Sequence, residues 1–331
     1  MMTTPAIQPV INHYAPIGTV ASAFDNVQAV GAVWMLSSTL YTTYSTTKFL
    51  KYSPKTLEHR PQTPLSRATL LTVLRFGGSL ALGILAHPDI DMLARIKETW
   101  NLLPTFALPA VFLFIANYAN SISLNRIGIS LTYTSKCAIP LITLILTVLL
   151  DGVSALPRPP VLLTLVPIGL GIAAASWSNP HFELLGFLAA LVSCTSQSAL
   201  NVTTKRIMKH LDVAGPLAQR AMVAVGLIIA SAMALVQVSS RTEMKETETM
   251  PPAWLGAMAV TAYHIEYVLS FIFVKMVAPI TYSAMDAMRR LAIIISGHFM
   301  FGGPAFTALN ISGIALALGG VLAYSVLNNL N

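Results

Sequence analysis

The chain has 331 residues, of which 55% are apolar and only 10% are charged, with a formal net charge of +7. Soluble domains carry about 25% charged residues. This composition therefore excludes an ordinary soluble enzyme, and the mean hydropathy of +0.68 indicates a polytopic membrane protein. The basic residues are scattered, with no cluster among stacking aromatic residues, so no nucleic-acid partner is predicted. Cys137 and Cys194 form neither a disulfide framework nor a metal-binding spacing, and we expect no cofactor or metal.

Ten apolar stretches are long enough to cross a bilayer as helices. A spanning helix needs about 20 mostly apolar residues to cross about 30 Å of hydrocarbon. The predicted spans are residues 27–48, 66–86, 103–124, 127–150, 159–177, 182–204, 216–238, 253–276, 280–301 and 304–327. Residues 1–26 lack the pattern of a signal peptide and are expected to be a polar tail. Because the backbone must be satisfied within lipid, we predict one all-α membrane domain.

The second half of the chain echoes the first. The stretch STTKFLK at 45–51 is echoed by VTTKRIMK at 202–209. The stretch SLTYTSK at 130–136 is echoed by PITYSAM at 279–285. These separations correspond to five spans, and an odd number of spans inverts the second copy in the membrane.

A third echo is rich in small residues. It pairs IGLGIAAAS at 168–176 with SGIALALGG at 312–320, and we interpret these residues as close helix contacts. We therefore predict two inverted five-helix repeats, residues 27–177 and 182–327. This is a recurring transporter design in which the binding site lies between the copies.

Six charged residues lie toward the middle of the predicted spans, and a charge near the bilayer centre is unfavourable by about 3 kcal/mol. They are Arg75, Lys136, Glu266, Asp286, Arg289 and Arg290. If all six face one cavity, the four cations exceed the two carboxylates by two charges. A phosphate monoester carries a charge of about −1.5 to −2 at neutral pH, so the surplus suits a phosphorylated solute.

The spacing of these residues predicts where they meet. Asp286, Arg289 and Arg290 lie at i, i+3 and i+4, so they share one helix face. The repeat alignment places Lys136 at the position of Met285, one turn before Arg289. Spans 4 and 9 are therefore expected to bring Lys136 toward the arginine pair. Arginine offers phosphate a planar fork of donors, and lysine offers a point charge.

Structural interpretations remain open for the same residues. Asp286 would neutralise a single arginine one turn away, and Arg75 would pair with Glu266 as a strut between helices. Asn117 and Tyr133 would line a polar pocket, although hydrogen bonds between packed helices explain them equally well.

Three passages of the chain are similar to segments of a known protein family. They are NSISLNRIGISLTYTSKCAIPLI at 120–142, SALNVTTKRIM at 198–208 and the almost continuous stretch 262–325. They resemble the triose-phosphate/sugar-phosphate translocators of the drug/metabolite transporter superfamily, which are related to nucleotide-sugar transporters. The resemblance implies ten helices in two inverted repeats that work by alternating access and exchange. It also implies that phosphate is held by Lys136, Arg289 and Arg290.

Three positions depart from the pattern of the phosphate translocators. Glu266 stands where a substrate-contacting tyrosine is found, and Asp286 stands where a neutral asparagine is common. A histidine of the third helix has no counterpart near Leu113. The two cations of the ninth span favour a phosphate or phosphomonoester ligand over a nucleotide sugar. Besides the three phosphate-binding cations, the candidate substrate-binding residues are Arg75, Asn117, Tyr133, Glu266 and Tyr267.

We therefore predict a secondary antiporter that exchanges phosphorylated sugars or similar metabolites for inorganic phosphate. The alternative within transporters is exchange of nucleotide sugars for nucleoside monophosphates. An intramembrane enzyme is not predicted, because His264 and Glu266 do not share a helix face and no HExxH or Gly-x-Ser-x-Gly pattern occurs. A receptor or scaffold without transport is a further alternative.

The expected partners are small phosphorylated solutes, inorganic phosphate and the lipid bilayer, with the protein a monomer or homodimer. The family occurs in plastid envelopes and in Golgi or endoplasmic reticulum membranes, so the resemblance implies an intracellular organelle. Lysine and arginine divide evenly between the two predicted faces, which gives no orientation.

Overall fold

The all-α prediction is confirmed. A computed structural model describes residues 27–53, 62–63, 65–85, 92–152, 158–177, 182–211, 213–244, 248–276, 279–302 and 307–329. Its α-helices are α1 (Val27–Leu36), α2 (Thr43–Leu50), α3 (Arg67–Leu85), α4 (Met92–Ser135), α5 (Ile139–Asp151), α6 (Pro159–Leu163), α7 (Leu165–Trp177), α8 (Leu184–Leu211), α9 (Gly215–Met244), α10 (Ala253–Met276), α11 (Pro279–Phe301) and α12 (Ala308–Asn329). A π-helical segment, Ser37–Thr42, joins α1 to α2, and a 3-10 turn, Lys136–Ala138, joins α4 to α5. The predicted tail, residues 1–26, lies outside the described residues.

Helix α4 is a hairpin of two helical parts. Gly128 interrupts it with φ 75° and ψ −178°, a conformation that glycine adopts without steric cost. Ser123 Oγ lies 2.8 Å from Thr132 Oγ1, whereas residues nine apart along a straight helix are separated by about 13 Å. The chain therefore turns back on itself at Gly128, two residues after the boundary predicted at 125–126 between the third and fourth spans.

Five stretches of described residues are long and apolar enough to cross a membrane. They are Arg67–Leu85, Met92–Leu146, Leu184–Met208, Gly215–Ser240 and Ala253–Phe273. Two shorter apolar stretches, Pro159–Ala175 and Ala308–Tyr324, coincide with the predicted fifth and tenth spans. The count of ten spans and the inverted repeat stay predictions.

The largest buried cluster joins α3, α4, α9 and α10. Its members include Phe76, Phe106, Leu113, Met222 and Tyr263. Other large apolar side chains point outward, with Leu149 75% exposed and Phe299 82% exposed. Lipid is the solvent in which such exposure is favourable.

Helices α7 and α12 pack backbone against backbone. A methyl group built at Gly171 would lie 2.5 Å from both the amide nitrogen of Ala317 and the carbonyl oxygen of Gly313. A methyl group at Gly313 would lie 2.7 Å from the amide nitrogen of Ala175. The interpretation of these small residues as close helix contacts is therefore confirmed.

We expect Gly171→Leu to lower the melting temperature of the purified protein, because the atoms that meet the new side chain are backbone and cannot rotate away. Such overpacking destabilises by about 1–3 kcal/mol. Gly169→Leu is the matched control, since no atom of the described residues lies within 4 Å of a methyl group built at Gly169. Equal melting temperatures for the two variants would contradict the contact.

A two-stranded sheet joins two polar connections, one that precedes α3 and one that precedes α10. Strand β1 (Gln62–Thr63), which follows α2, pairs antiparallel with β2 (Glu248–Thr249), which precedes α10. Arg67 reinforces this junction. It donates hydrogen bonds to the carbonyl oxygen of Tyr52 and, over 3.2 Å, to Thr249 Oγ1.

A second junction joins the beginnings of α4 and α9 to the end of α3. Arg220 Nη2 lies 2.8 Å from Glu98 Oε2, and Arg220 Nε donates to Thr99 Oγ1 over 3.1 Å. Arg95 Nη1 donates to the carbonyl oxygen of Ile84 over 2.8 Å. The two junctions share no residue, so these polar contacts lie at two separate places near the ends of helices.

Candidate functional site

The predicted charges of α10 and α11 meet in one cluster. Arg289 Nη1 donates to Glu266 Oε1 over 2.8 Å, while its Nη2 and Nε donate to Asp286 Oδ1 over 2.7 and 3.2 Å. Asp286 Oδ2 accepts a hydrogen bond from Arg290 Nη2. The expected pairing of Asp286 with an arginine one turn away is therefore present for both arginines, because each of its oxygens binds a different guanidinium.

The arginine pair also contacts the backbone at Lys136. Pro140 has no N–H to complete an α-helical bond to the carbonyl of Lys136, and the chain forms a 3-10 turn in which Ile139 N–H bonds that carbonyl. Arg290, which is 5% exposed, donates its Nη1 to the same oxygen. This contact brings Arg290 of the predicted ninth span to the backbone of Lys136 in the predicted fourth span.

The side chain of Lys136 has no acidic partner in the part of the chain that the structure describes. Its Nζ lies 5.3 Å from the ring centre of Tyr133, and among the described residues no carboxylate forms an ion pair with it. Lys136 nevertheless interacts electrostatically with Arg289, Arg290 and Glu266. Lys136 is therefore a cation of the same cluster to which the described residues supply no counter-ion.

Arg75 is the second such cation. It lies on α3, is 5% exposed, and places its guanidinium 5.3 Å from the ring centre of Tyr263. Its Nη2 donates to Thr46 Oγ1. The interpretation of an Arg75–Glu266 strut is wrong, because Glu266 forms its ion pair with Arg289. Arg75 still interacts electrostatically with Glu266, so both belong to one region.

The remaining candidates complete this region. Asn117 Nδ2 donates to Tyr267 Oη over 3.2 Å and to the carbonyl oxygen of Leu113 over 2.9 Å. The rings of Tyr267 and Tyr263 have their centres 4.4 Å apart. Tyr133 interacts electrostatically with the Glu266–Arg289 pair and with Arg75. The eight residues singled out from the sequence thus fall into two sets of contacts, which meet where Glu266 and Tyr267 are neighbours on α10.

Sequence reasoning missed three aromatic and hydroxyl residues of this group. Trp34 is 1% exposed, and its ring centre lies 5.0 Å from the guanidinium of Arg289. Thr46 and Tyr263 contact Arg75, as described above. A signal for Thr46 existed in the sequence, because hydroxyl residues are dense at 42–47 within a predicted span.

The charges of the cluster do not cancel. Glu266 and Asp286 are both bound by arginines, and the described residues provide no carboxylate for Lys136 or Arg75. Four cations against two carboxylates leave a surplus of two positive charges, now located on those two side chains. A surplus of this size equals the charge that one bound dianion would cancel. No group of three or more side chains able to hold a metal ion occurs in the described part of the chain.

Comparison with known proteins finds phosphate translocators. The chain is 27% identical over 223 residues to phosphoenolpyruvate/phosphate translocator 2, chloroplastic, of Arabidopsis thaliana, over 64% of this chain and 57% of that protein. It is 26% identical over 309 residues to phosphoenolpyruvate/phosphate translocator 1, chloroplastic, of the same plant, over 89% and 70% of the two chains. It is 24% identical over 254 residues to that plant's glucose-6-phosphate/phosphate translocator 1, chloroplastic, over 75% and 62%. The first and third matches span less than two thirds of the relative.

A solved structure supports the fold. A crystal structure of a protein aligns with a TM-score of 0.50 and 16% sequence identity, covering 91% of this chain and 98% of that chain. At this identity the likeness concerns the fold alone. The sequence profile of the Triose-phosphate Transporter family matches residues 34–325, which include every residue of the charged cluster. With its long apolar helices, the chain is an integral membrane protein that belongs to the Triose-phosphate Transporter family.

Proposed function

We propose that this protein is a secondary antiporter that exchanges phosphorylated sugars or similar phosphorylated metabolites for inorganic phosphate. The observation that carries the proposal is a cluster of four cations and two carboxylates in which Lys136 and Arg75 have no acidic partner among the described residues. Three similar proteins are named as phosphate translocators of phosphoenolpyruvate or glucose 6-phosphate, which supports a phosphorylated substrate here.

The proposed architecture is ten spans in two inverted five-helix repeats, residues 27–177 and 182–327. With ten crossings, the connections after the first and seventh spans lie on one side, and the β1–β2 pair joins them. The connections after the second and sixth spans lie on the opposite side, where Arg220 binds Glu98. At about 80 Å of helix, the apolar stretch Met92–Leu146 is too long for a single crossing, and the hairpin at Gly128 divides it into two.

The proposed mechanism follows from the charge balance. An empty cluster retains two uncancelled positive charges, and enclosing them away from water is unfavourable. One phosphate dianion removes the surplus and bridges Lys136 of the first repeat to the arginines of the second. Alternating access therefore proceeds when the site is occupied, and each inward step requires a return step with another phosphorylated solute.

The proposed location is an organelle membrane. The names of the similar proteins place them in chloroplasts, which favours a plastid envelope among the membranes that the family occupies.

Exchange in liposomes tests the proposal. Uptake of labelled phosphate by the reconstituted protein should require phosphate or a phosphorylated solute inside the vesicles. Equal uptake into empty vesicles would contradict obligatory exchange. Internal UMP and GMP belong in the counter-substrate panel, because a preference for them would indicate a nucleotide-sugar antiporter. The absence of any flux would favour a receptor or scaffold.

A further inference from the structure

Glu266 is bound on one side only. Its Oε1 lies 2.8 Å from Arg289 Nη1, but within the part of the chain that the structure describes its Oε2 accepts no hydrogen bond. Asp286, by contrast, uses both oxygens to bind the arginines. The side chain of Glu266 is 16% exposed. Its second oxygen is therefore an acceptor that a ligand can use.

This acceptor lies next to the cations that lack acidic partners. The guanidinium of Arg75 lies 5.3 Å from the ring centre of Tyr263, which shares a face of α10 with Glu266 three residues later. Arg289, which binds Glu266, is followed by Arg290, which binds the backbone of Lys136. A phosphomonoester whose phosphate binds among these cations is small, so its organic part lies within reach of Glu266. The chemical nature of that organic part decides whether the contact is favourable.

The charge balance limits which ligands fit. One phosphate group of about −2 charges cancels the surplus of the cluster. A carboxylate on the same ligand would make the enclosed site negative and would approach the carboxylate of Glu266, and like charges repel strongly away from water. A hydroxyl group adds no charge and donates to a carboxylate oxygen.

We propose that Glu266 is a specificity-determining residue that accepts a hydrogen bond from a ligand hydroxyl. The carrier then takes phosphomonoesters whose organic part is uncharged and hydroxylated, and it rejects phosphorylated carboxylates. This inference rests on the proposed function and narrows its substrate class. It separates this chain from the two similar proteins named for phosphoenolpyruvate, a phosphorylated carboxylate.

Competition for phosphate exchange tests the inference with two ligands of similar size. Liposomes loaded with phosphate take up labelled phosphate, and dihydroxyacetone phosphate or phosphoenolpyruvate is added outside as competitor. We expect the wild-type protein to prefer dihydroxyacetone phosphate by about tenfold or more, and Glu266→Gln to reduce that preference by about tenfold. Glu266→Asp keeps the charge and should keep the preference. Glu183→Gln makes the same change at a glutamate that is 43% exposed and should also keep it.

Each outcome decides a different point. Equal competition by the two ligands in the wild-type protein overturns the role of Glu266 while leaving phosphate exchange intact. An unchanged preference in Glu266→Gln overturns it as well. If Glu266→Gln supports no phosphate exchange, the preference of the wild-type protein for dihydroxyacetone phosphate over phosphoenolpyruvate alone tests the inference. A wild-type protein that exchanges no phosphate overturns the proposed function, and this inference with it.

Discussion

Replacing Lys136 by glutamine is expected to reduce phosphate exchange by about 10- to 100-fold, the range that corresponds to losing one hydrogen bond between charged groups. Lys136 is the residue whose loss should matter most, because both carboxylates of the cluster are already bound by arginines. Its ammonium group is therefore available to the ligand without displacing an internal partner. Initial rates of labelled phosphate uptake into phosphate-loaded liposomes measure the effect.

The comparison with two further variants separates charge from structure. Lys136→Arg keeps the positive charge and should retain more exchange than Lys136→Gln. Lys97→Gln makes the same substitution at an exposed lysine of α4 and should exchange at the wild-type rate. Wild-type exchange by Lys136→Gln would show that the uncancelled cation of the first repeat does not bind phosphate.

The composition of the cluster was predictable, whereas its pairing was not. A charge in the middle of a span must find a partner or a ligand, so the six charged residues toward the middle of the predicted spans indicate a binding site. The i, i+3, i+4 spacing predicts that Asp286 lies beside both arginines. Whether Glu266 binds Arg75 or Arg289 depends on how α10 is rotated against α3 and α11. Sequence periodicity gives the face of one helix but not this relative rotation.

The ends of some helices could likewise be predicted from the sequence, whereas the ends of others could not. Gly128 separates two helical parts two residues after the boundary predicted at 125–126, where Asn125 and Arg126 interrupt the apolar run. Helix α4 begins at Met92 rather than near 103, and α8 continues to Leu211 rather than ending near 204. Both helices continue through polar residues outside the hydrocarbon, and hydropathy does not predict where a helix ends in water. The π-helical segment Ser37–Thr42 likewise has no compositional signal.

A second large effect is expected at Asp286, which positions both arginines. Asp286→Asn replaces one acceptor oxygen by an amide that donates, so a donor of asparagine would face a donor of arginine. Removing one partner of a buried ion pair destabilises a protein by about 3–5 kcal/mol. We therefore expect the ligand-free variant to unfold at a clearly lower temperature than the wild-type protein.

Phosphate should restore much of this loss, because its oxygens offer the two guanidiniums the acceptors that the substituted side chain no longer supplies. A ligand that binds only the folded state raises stability by an amount that grows with its concentration relative to its dissociation constant. The gain in melting temperature on adding phosphate should therefore be larger for Asp286→Asn than for the wild-type protein. Chloride at equal ionic strength controls for screening, and Glu183→Gln controls for loss of a carboxylate elsewhere. An equal gain in melting temperature in the variant and the wild-type protein would mean that phosphate binds away from the arginine pair. The phosphate-binding residues would then be Lys136 and Arg75 alone.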